Sequence, residues 1–229
     1  MRKTFYLFFC IMIYSFSWSQ STFTSGLLPR IRISSKLTNT IKWVNGIESR
    51  QLFTDNTKKN SFDYVLTDIS SLASFKIGHN SSLNGGYLLR IEDNQVTHRT
   101  IQQYSFVYSY HAIRVGHRFV TDQTFSTTTL PKYRGRYRVT LEKPLNGDKI
   151  NPNEFYIKLS NEYLFSYQDS KLDIELRVLP FLGYELNLKN KIEAGIDYRL
   201  SKFINSDPKN TLWFTINWFY TIQNPKNKK

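Results

Sequence analysis

The sequence predicts an all-β fold, namely an antiparallel transmembrane β-barrel, on the strength of three observations. Charged and apolar residues alternate with a period of two over long stretches. Aromatic residues make up 16% of the chain, although its mean hydropathy is negative. No run approaches the roughly 18 consecutive apolar residues of a transmembrane helix. In a membrane-spanning barrel only alternate residues have to be apolar, so a chain that is polar on average can still present an apolar face to lipid.

The segment 132–142 shows the alternation most clearly. Successive side chains of an extended strand point to opposite faces. The aromatic and aliphatic residues of this segment therefore share one face, while the other face carries Lys132, Arg134, Arg136 and Arg138. An arginine at the bilayer midplane would cost roughly 2–4 kcal/mol, so contact with lipid would fix the register of this strand strongly. Taken alone, the segment is also compatible with a two-sided strand in a soluble sheet.

The N-terminus has the layout of a secretory signal peptide over residues 1–19. A short basic start precedes an apolar run over 5–14, and small residues stand before a cleavage position that follows Ser19. The run is too short to span a bilayer as a helix. Cys10 lies inside the signal, so no disulfide is expected in the exported chain. Residues 20–229 show no composition break and are predicted to form a single barrel domain.

Polar turn segments divide the exported chain into eleven candidate strands with boundaries uncertain by several residues. Several of them exceed the mean length of about 5–6 residues for strands in soluble proteins, and this length suits tilted strands that cross hydrocarbon. The candidates are 27–36, 40–53, 62–77, 82–92, 97–108, 110–125, 131–143, 153–167, 171–187, 190–203 and 211–223.

The number of candidates conflicts with the even strand number of bacterial single-chain barrels. Short connections at 37–39 and 188–190 follow odd-numbered candidates, which favours an additional short strand before the first. We therefore expect about twelve strands, with ten as the alternative if the N-terminal segments merge or remain outside the barrel. Pro180 cannot donate a backbone hydrogen bond, so we expect a bulge or a break in the ninth strand at that position.

The charged faces of the candidate strands are predicted to share the lumen. Opposite charges in near balance indicate a crosslinked and largely plugged interior, although such networks are weak evidence for net stability. The predicted network comprises Arg50, Arg90, Arg114, Arg118, Asp122, Arg134, Arg136, Arg138, Glu142, Glu154, Glu162, Glu175, Arg177, Glu193, Asp197 and Arg199. Its functional interpretation is a structural barrel or a passage for anions or other small solutes.

Aromatic residues of the apolar faces are predicted to lie at the membrane interfaces, where amphipathic rings are enriched. These residues are Trp43, Tyr133, Tyr137, Tyr163, Tyr167, Trp213, Trp218 and Tyr220. The expected location is the outer membrane. The expected partners are its lipid, lipopolysaccharide and the barrel-assembly machinery, which would use the aromatic last strand.

Charge and motif content argue against several other functions. The net charge of +13 is spread through strands and turns, so no nucleic-acid surface is indicated. The 4 histidines show no metal-ligand spacing, and neither a metal nor another cofactor is expected. An outer-membrane lipid-modifying hydrolase is an alternative, because Ser109 and His111 could share a strand face and residues 78–82 gather similar groups. Neither group is a specific catalytic constellation, so the sequence favours a protein that is not an enzyme.

A second alternative is a secreted soluble β-barrel that binds an apolar ligand inside, because alternation alone does not say which face points inward. Such a barrel would have to pack the phenylalanine and tyrosine side chains of the apolar face into its lumen. An interior of about eight strands holds at most one small ligand. This chain offers more strands and more bulk, so the membrane barrel is favoured.

The order of several short motifs resembles an outer-membrane β-barrel family of unknown function from Bacteroidota, domain of unknown function 2490. The resemblance spans most of the exported chain and implies the barrel fold, but it implies no activity. Asp122 stands where the family pattern has a glutamate, and the chain ends in 224–229 without a terminal aromatic residue. The matching motifs are Gly86-Tyr87, His98-Arg99 with Gln102-Gln103, His117-Arg118 with Asp122-Gln123, Arg136-Tyr137-Arg138 with Pro144-Leu145, Asn161-Glu162, and Glu193-Ala194-Gly195 with Tyr198.

Overall fold

A computed structural model describes residues 22–54, 62–93, 95–202, 204 and 207–223, so the predicted signal peptide lies outside the described residues. These residues form a closed β-barrel of eleven strands. The strands are β1 (Thr22–Lys36), β2 (Ile41–Thr54), β3 (Asp63–Lys76), β4 (Ser81–Glu92), β5 (Gln95–Tyr110), β6 (Ile113–Phe125), β7 (Lys132–Pro144), β8 (Glu154–Gln168), β9 (Lys171–Asn187), β10 (Asn190–Ser201) and β11 (Lys209–Ile222). No helix long and apolar enough to cross a membrane occurs in this part of the chain.

The ring closes between the first and last strands, which run parallel to each other. Thr22 lies opposite Lys209, and Ser35 lies opposite Ile222. All other neighbouring pairs are antiparallel. The strand number therefore lies between the predicted twelve and the alternative of ten, and the barrel is mixed rather than wholly antiparallel. Both predicted numbers assumed that both ends of the chain leave the barrel on one side, whereas a parallel closure requires an odd number of strands.

The parallel closure places the two ends of the described chain at opposite mouths of the barrel. We call the end that carries Thr22 the N-terminal mouth and the end that carries Ile222 the C-terminal mouth. The N-terminal mouth also carries the two-residue connection 169–170, and the C-terminal mouth carries the two-residue connection 111–112. Tight hairpins thus occur at both ends, so loop length does not distinguish the two mouths.

The eleven segments found from periodicity correspond to the eleven strands. The largest differences are at the start of β1, which begins at Thr22 rather than at residue 27, and at the boundary between β5 and β6. Tyr110 ends β5 and Ile113 begins β6, because the turn between them takes His111 into a positive φ of 51°. The period of two located these strands because each residue must face either the lumen or the outside.

Pro180 does not cause the expected bulge. β9 is continuous, and its register with β8 runs unshifted past the proline. On the other side, Gly195 pairs with Phe181 and Tyr198 pairs with Val178 in one common register, while the two intervening pairs are lacking. The missing donor is therefore accommodated by a local gap in the ladder between β9 and β10.

The outer face of the barrel is mostly apolar, whereas the inner face carries most of the charged side chains together with some buried apolar ones. In β8, Phe155 and Leu159 are about half exposed, whereas the alternate residues Tyr156, Ser160 and Glu162 are buried. The same separation holds along the other strands. The alternative of a barrel that binds an apolar ligand inside expected the apolar face to point into the lumen, whereas most of that face points outward.

Hydrogen-bonded polar side chains on the outer face include a group on β5 and β6. Thr100 donates a hydrogen bond of 2.5 Å to Gln123, and Thr121 donates one of 3.0 Å to Gln102. Gln102 and Gln123 also bond to each other over 3.2 Å. These side chains therefore satisfy one another without a partner from solvent.

Most of the predicted interface aromatics lie on the outer face. Trp43, Tyr133, Tyr163, Tyr167 and Trp218 are 40–50% exposed. The half-buried rings of Tyr137 and Tyr220 belong to the same face by alternation. Trp213 is a correction, because it is only 5% exposed and points into the lumen. It has the opposite parity to Trp218 on β11, so the two indoles cannot share a face.

Candidate functional site in the barrel lumen

Three arginines converge on Glu162 in the middle of the lumen. Arg138 donates from Nε to Glu162 Oε2 over 2.7 Å, and Arg118 donates from Nη2 to the same oxygen over 3.3 Å. Arg177 donates from Nη1 to Oε1 over 3.0 Å. Glu162 is 0% exposed. We call these four residues the Glu162 cluster; they tie four consecutive strands, β6 to β9, together on the inner face.

A second carboxylate toward the N-terminal mouth is arranged in a similar way. Asp122 on β6 is fully buried, and its Oδ1 lies 2.6 Å from the Nε and Nη2 atoms of Arg134. Arg136 Nη2 lies 2.9 Å from Oδ2, and Arg99 Nε lies 3.6 Å from Oδ1. Arginines from both neighbouring strands therefore hold one aspartate.

The opposite wall carries a chain of alternating charges on β1 to β4. Arg30 forms an ion pair with Glu48, and Arg50 Nη2 lies 2.7 Å from the other oxygen of that carboxylate. Arg50 Nη2 also lies 3.9 Å from Asp68, which receives two hydrogen bonds of 2.7 Å from Arg90. These contacts link four neighbouring strands across the inner face.

Two further ion pairs complete the charged interior. Arg199 donates two hydrogen bonds to Asp197, of 3.0 and 2.7 Å. Arg177 donates one of 2.5 Å to Glu175, in addition to its bond with Glu162. Burying such pairs costs desolvation energy that offsets much of their attraction. Each of these two pairs lies within one strand, so it neutralises charge on the inner face without itself linking neighbouring strands.

The C-terminal mouth has a different arrangement, in which three cations surround one aromatic ring. The Lys191 and Lys158 ammonium groups lie 5.1 and 5.8 Å from the centroid of Phe219, and the Arg32 guanidinium lies 5.9 Å from it. Glu193 is 1% exposed and binds Lys158 closely, while Lys191 lies 3.9 Å from it. We call Phe219, Arg32, Lys158 and Lys191 the Phe219 site.

Tyr156 completes the packing around Glu193. Its hydroxyl donates a hydrogen bond of 2.9 Å to Glu193 Oε1, and the ring is fully buried. The ring lies over Gly183 on β9, where an added Cβ atom would overlap it. Glycine is therefore required at this position for close packing rather than for an unusual backbone angle.

Each mouth of the barrel carries a recess. The recess at the N-terminal mouth has a volume of about 720 Å³ and is lined by Thr128, Thr129, Leu130, Lys132, Ser166, Gln168, Asp169, Lys171, Asp173 and Lys202. The recess at the C-terminal mouth has a volume of about 260 Å³ and is lined by Arg114, Glu142, Ile150, Glu185, Leu188, Lys189, Lys191, Phe219 and Thr221. The inner face of β7 runs between them, from Lys132 in one recess to Glu142 in the other.

The structure brings most of the predicted network residues into these ion pairs. Arg114 is an outlying member, because its side chain is 57% exposed beside Glu142. Glu154 is a correction, because its carboxylate accepts hydrogen bonds from Asn151 in the loop after β7 and does not join the lumen network. A strand-end residue of the right parity can still be held by the adjacent loop.

Several charged residues of the lumen are absent from the predicted network. They share the parity of the inward-facing residues on their strands, and this parity is the signal that could have identified them. These residues are Arg30, Arg32, Asp68, Arg99, Lys158 and Lys191.

The serine and histidine residues considered for hydrolysis lie in different environments. Ser109 lies near the end of β5, whereas His111 lies in the following turn with its ring against Tyr110. His79 lies in the turn between β3 and β4. In the described part of the chain, no group of three or more histidine, cysteine or acidic residues is placed to hold a metal ion.

The comparison with protein families adds one finding to this geometry. No curated protein compared with the chain matches it. Residues 26–223 match a family described as protein of unknown function (DUF2490), and this span covers β2 to β11 and most of β1. The chain therefore belongs to the DUF2490 family of proteins of unknown function.

Proposed function

We propose that this protein is an integral outer-membrane β-barrel with a structural role, whose lumen is closed by ion pairs. The observation that carries the proposal is the separation of the two faces around the whole ring. Apolar side chains cover the outside, and the arginines and carboxylates of the network fill the inside. Lipid would cover the outer face, as in membrane barrels with polar interiors.

The dimensions of the strands support a membrane location. They contain 12 to 17 residues, and a tilted strand needs about 9–11 residues to cross the hydrocarbon core. Phe119, Ile157, Phe165 and Ile216 are among the outward side chains that are about half exposed. In water, this continuous apolar belt would far exceed the few hundred Å² of apolar patch that monomeric soluble proteins typically expose.

The polar group on β5 and β6 is poorly suited to contact with lipid. Its cost is reduced because Thr100, Gln102, Thr121 and Gln123 bond to one another. Polar atoms without such partners would each cost several kcal/mol in hydrocarbon. The group is thus compatible with a membrane-facing wall.

The packing of the lumen supports a closed barrel. Leu28, Tyr156 and Glu162 are 0% exposed, although each points toward the barrel axis. The two recesses described above lie at opposite mouths, with the ion-pair clusters between them. Because three arginines approach each of Asp122 and Glu162, any ion that does pass would meet an excess of positive charge, which favours anions.

Substitutions on the two faces of β7 test the membrane location. Tyr137→Arg places a charge against lipid at a cost of roughly 2–4 kcal/mol near the midplane, so it should abolish the compact, heat-modifiable form in gel electrophoresis. Arg136→Gln should retain that form, because Arg134 and Arg99 still reach Asp122. Tyr137→Phe controls for the lost 2.8 Å bond to His117.

Two results would contradict the membrane location. One is recovery of the wild-type protein in the soluble fraction of exporting cells. The other is equal folding of Tyr137→Arg and Tyr137→Phe.

The closed lumen is tested by reconstituting the wild-type protein in planar bilayers, where we expect no discrete channel openings. Regular openings would show that the protein forms a passage, and their reversal potential in a salt gradient would give its ion preference.

A further inference from the structure

The Phe219 site has more positive charge than its carboxylate neutralises. Lys158 and Lys191 share Glu193. Arg32 has no carboxylate within 4 Å among the described residues, and its guanidinium lies 5.9 Å from the centroid of the Phe219 ring. The attraction of a cation to an aromatic face is weaker than a charge-assisted hydrogen bond to a carboxylate in the same place.

The charges around Arg32 do not remove this excess. Arg30 and Arg138 act on it as like charges, and Glu48 and Glu193 act as opposite charges. Each of these carboxylates already binds basic groups, since Glu48 pairs with Arg30 and Glu193 pairs with Lys158. The guanidinium of Arg32 is therefore half-buried beside an aromatic ring with hydrogen-bond donors left for another acceptor.

The recess at the C-terminal mouth borders the Phe219 site, and Arg32 lies opposite Phe219 on the neighbouring strand β1. Lys191 and Phe219 belong both to the Phe219 site and to the lining of the recess. The volume of about 260 Å³ is several times that of a water molecule and accommodates a small oxyanion. Thr221 adds a hydroxyl, and Lys189 adds a further ammonium group at the rim.

Acidic residues also line the recess and have to be considered. Glu142 is 8% exposed and lies 3.1 Å from Arg114, so its charge is already paired. Glu185 lies on β9, and Lys191 and Glu142 are among the charges that act on it. These acids line the recess from β7 and β9. Phe219 lines it from β11, and Arg32 lies opposite Phe219 on the neighbouring strand β1.

We propose that the C-terminal mouth binds a phosphate-class oxyanion between Arg32 and Lys191, beside the ring of Phe219. The anion is either free in solution or part of a lipid headgroup, because the two sources present the same oxygens to the guanidinium and ammonium groups. Binding would supply the acceptor that Arg32 lacks in the described part of the lumen. The inference goes beyond the closed structural barrel, since it requires neither conduction nor a place in the membrane.

Thermal unfolding of the full chain in a phosphate-free maltoside detergent tests the site, with inorganic phosphate or chloride added at equal ionic strength. We expect phosphate to raise the unfolding temperature more than chloride does. Arg32→Gln and Lys191→Gln should each weaken the apparent phosphate affinity by about tenfold or more, the size of one charge-assisted hydrogen bond. Lys171→Gln, which changes the recess at the other mouth, is the matched control and should bind phosphate like the wild type.

Arg32→Gln also separates loss of the site from misfolding. Because Arg32 has no close carboxylate in the described residues, this variant should be at least as stable as the wild type without phosphate. A second arm places both proteins in nanodiscs with or without phosphatidylglycerol. Stabilisation by that lipid alone, dependent on Arg32, would identify a headgroup as the ligand. The proposal is overturned if neither phosphate nor the lipid stabilises the wild type beyond chloride, or if Arg32→Gln responds as the wild type does.

Discussion

The Glu162 cluster and the Phe219 site each gather three basic side chains, but around acceptors of different strength. In the cluster the acceptor is a carboxylate with 0% exposure, and all three arginines donate hydrogen bonds to it. At the Phe219 site the shared group is an aromatic ring more than 5 Å from each charge. Three cations therefore form a rigid connection in the middle of the lumen, where a buried carboxylate binds all of them. At the mouth, three cations leave positive charge that an anion could neutralise.

The largest expected effect comes from removing the central carboxylate. Glu162→Gln leaves Arg118, Arg138 and Arg177 in the lumen without the charge that holds them together. Breaking a buried ion pair by removing one partner costs about 3–5 kcal/mol. We expect the free energy of unfolding to fall by that amount. Equilibrium unfolding in urea from lipid vesicles, followed by tryptophan fluorescence, measures it.

Glu154→Gln is the matched control for this change. Glu154 lies in β8 as Glu162 does, but its carboxylate bonds to Asn151 at the mouth. Its replacement should leave the urea midpoint unchanged. If Glu162→Gln were tolerated equally well, the cluster would have to be hydrated, and the contrast between the middle and the mouth would disappear.

A second prediction concerns the packing that positions Glu193 at the C-terminal mouth. Gly183→Ala places a methyl group against the ring of Tyr156, and overpacking of this kind typically costs about 1–3 kcal/mol. The displaced ring would also lose its bond to Glu193. Gly135→Ala is the control, because no atom lies within 4 Å of the added Cβ on the outer face. Urea unfolding should separate the two variants, and equal stability would mean that Tyr156 moves aside without cost.

The sequence was sufficient to predict the strands, because each residue must face either the lumen or the outside. This rule acts on each strand separately, so it could not predict how the barrel closes. The parallel pairing of β1 with β11 depends on which strands meet after ten others are in place, and no local pattern records it. Trp213 was assigned to the wrong face even though its parity opposes that of Trp218, so that error was avoidable from the sequence.

The candidate sites were predictable only in part. Arg118, Arg138 and Glu162 were placed in the lumen from parity, but their convergence depends on the register between strands. The Phe219 site was missed, because Arg32 on β1 and Lys191 on β10 each lie beside a ring on β11. Parity specifies the face of a residue, whereas register and barrel closure specify its neighbours.

The smallest effect is expected for the ion pair at the rim of the C-terminal mouth. Arg114 Nη1 lies 3.1 Å from Glu142 Oε1, but the arginine side chain is 57% exposed, so water and salt screen the pair. Exposed pairs contribute about 0–1 kcal/mol, and screening over a Debye length of about 10 Å at 0.1 M salt reduces this further. Arg114→Gln should therefore shift the urea midpoint slightly at low salt and not measurably at high salt. A salt-independent loss as large as that of Glu162→Gln would mean that water is excluded from the mouth as fully as from the middle of the lumen, and the mouth could then not admit a hydrated anion.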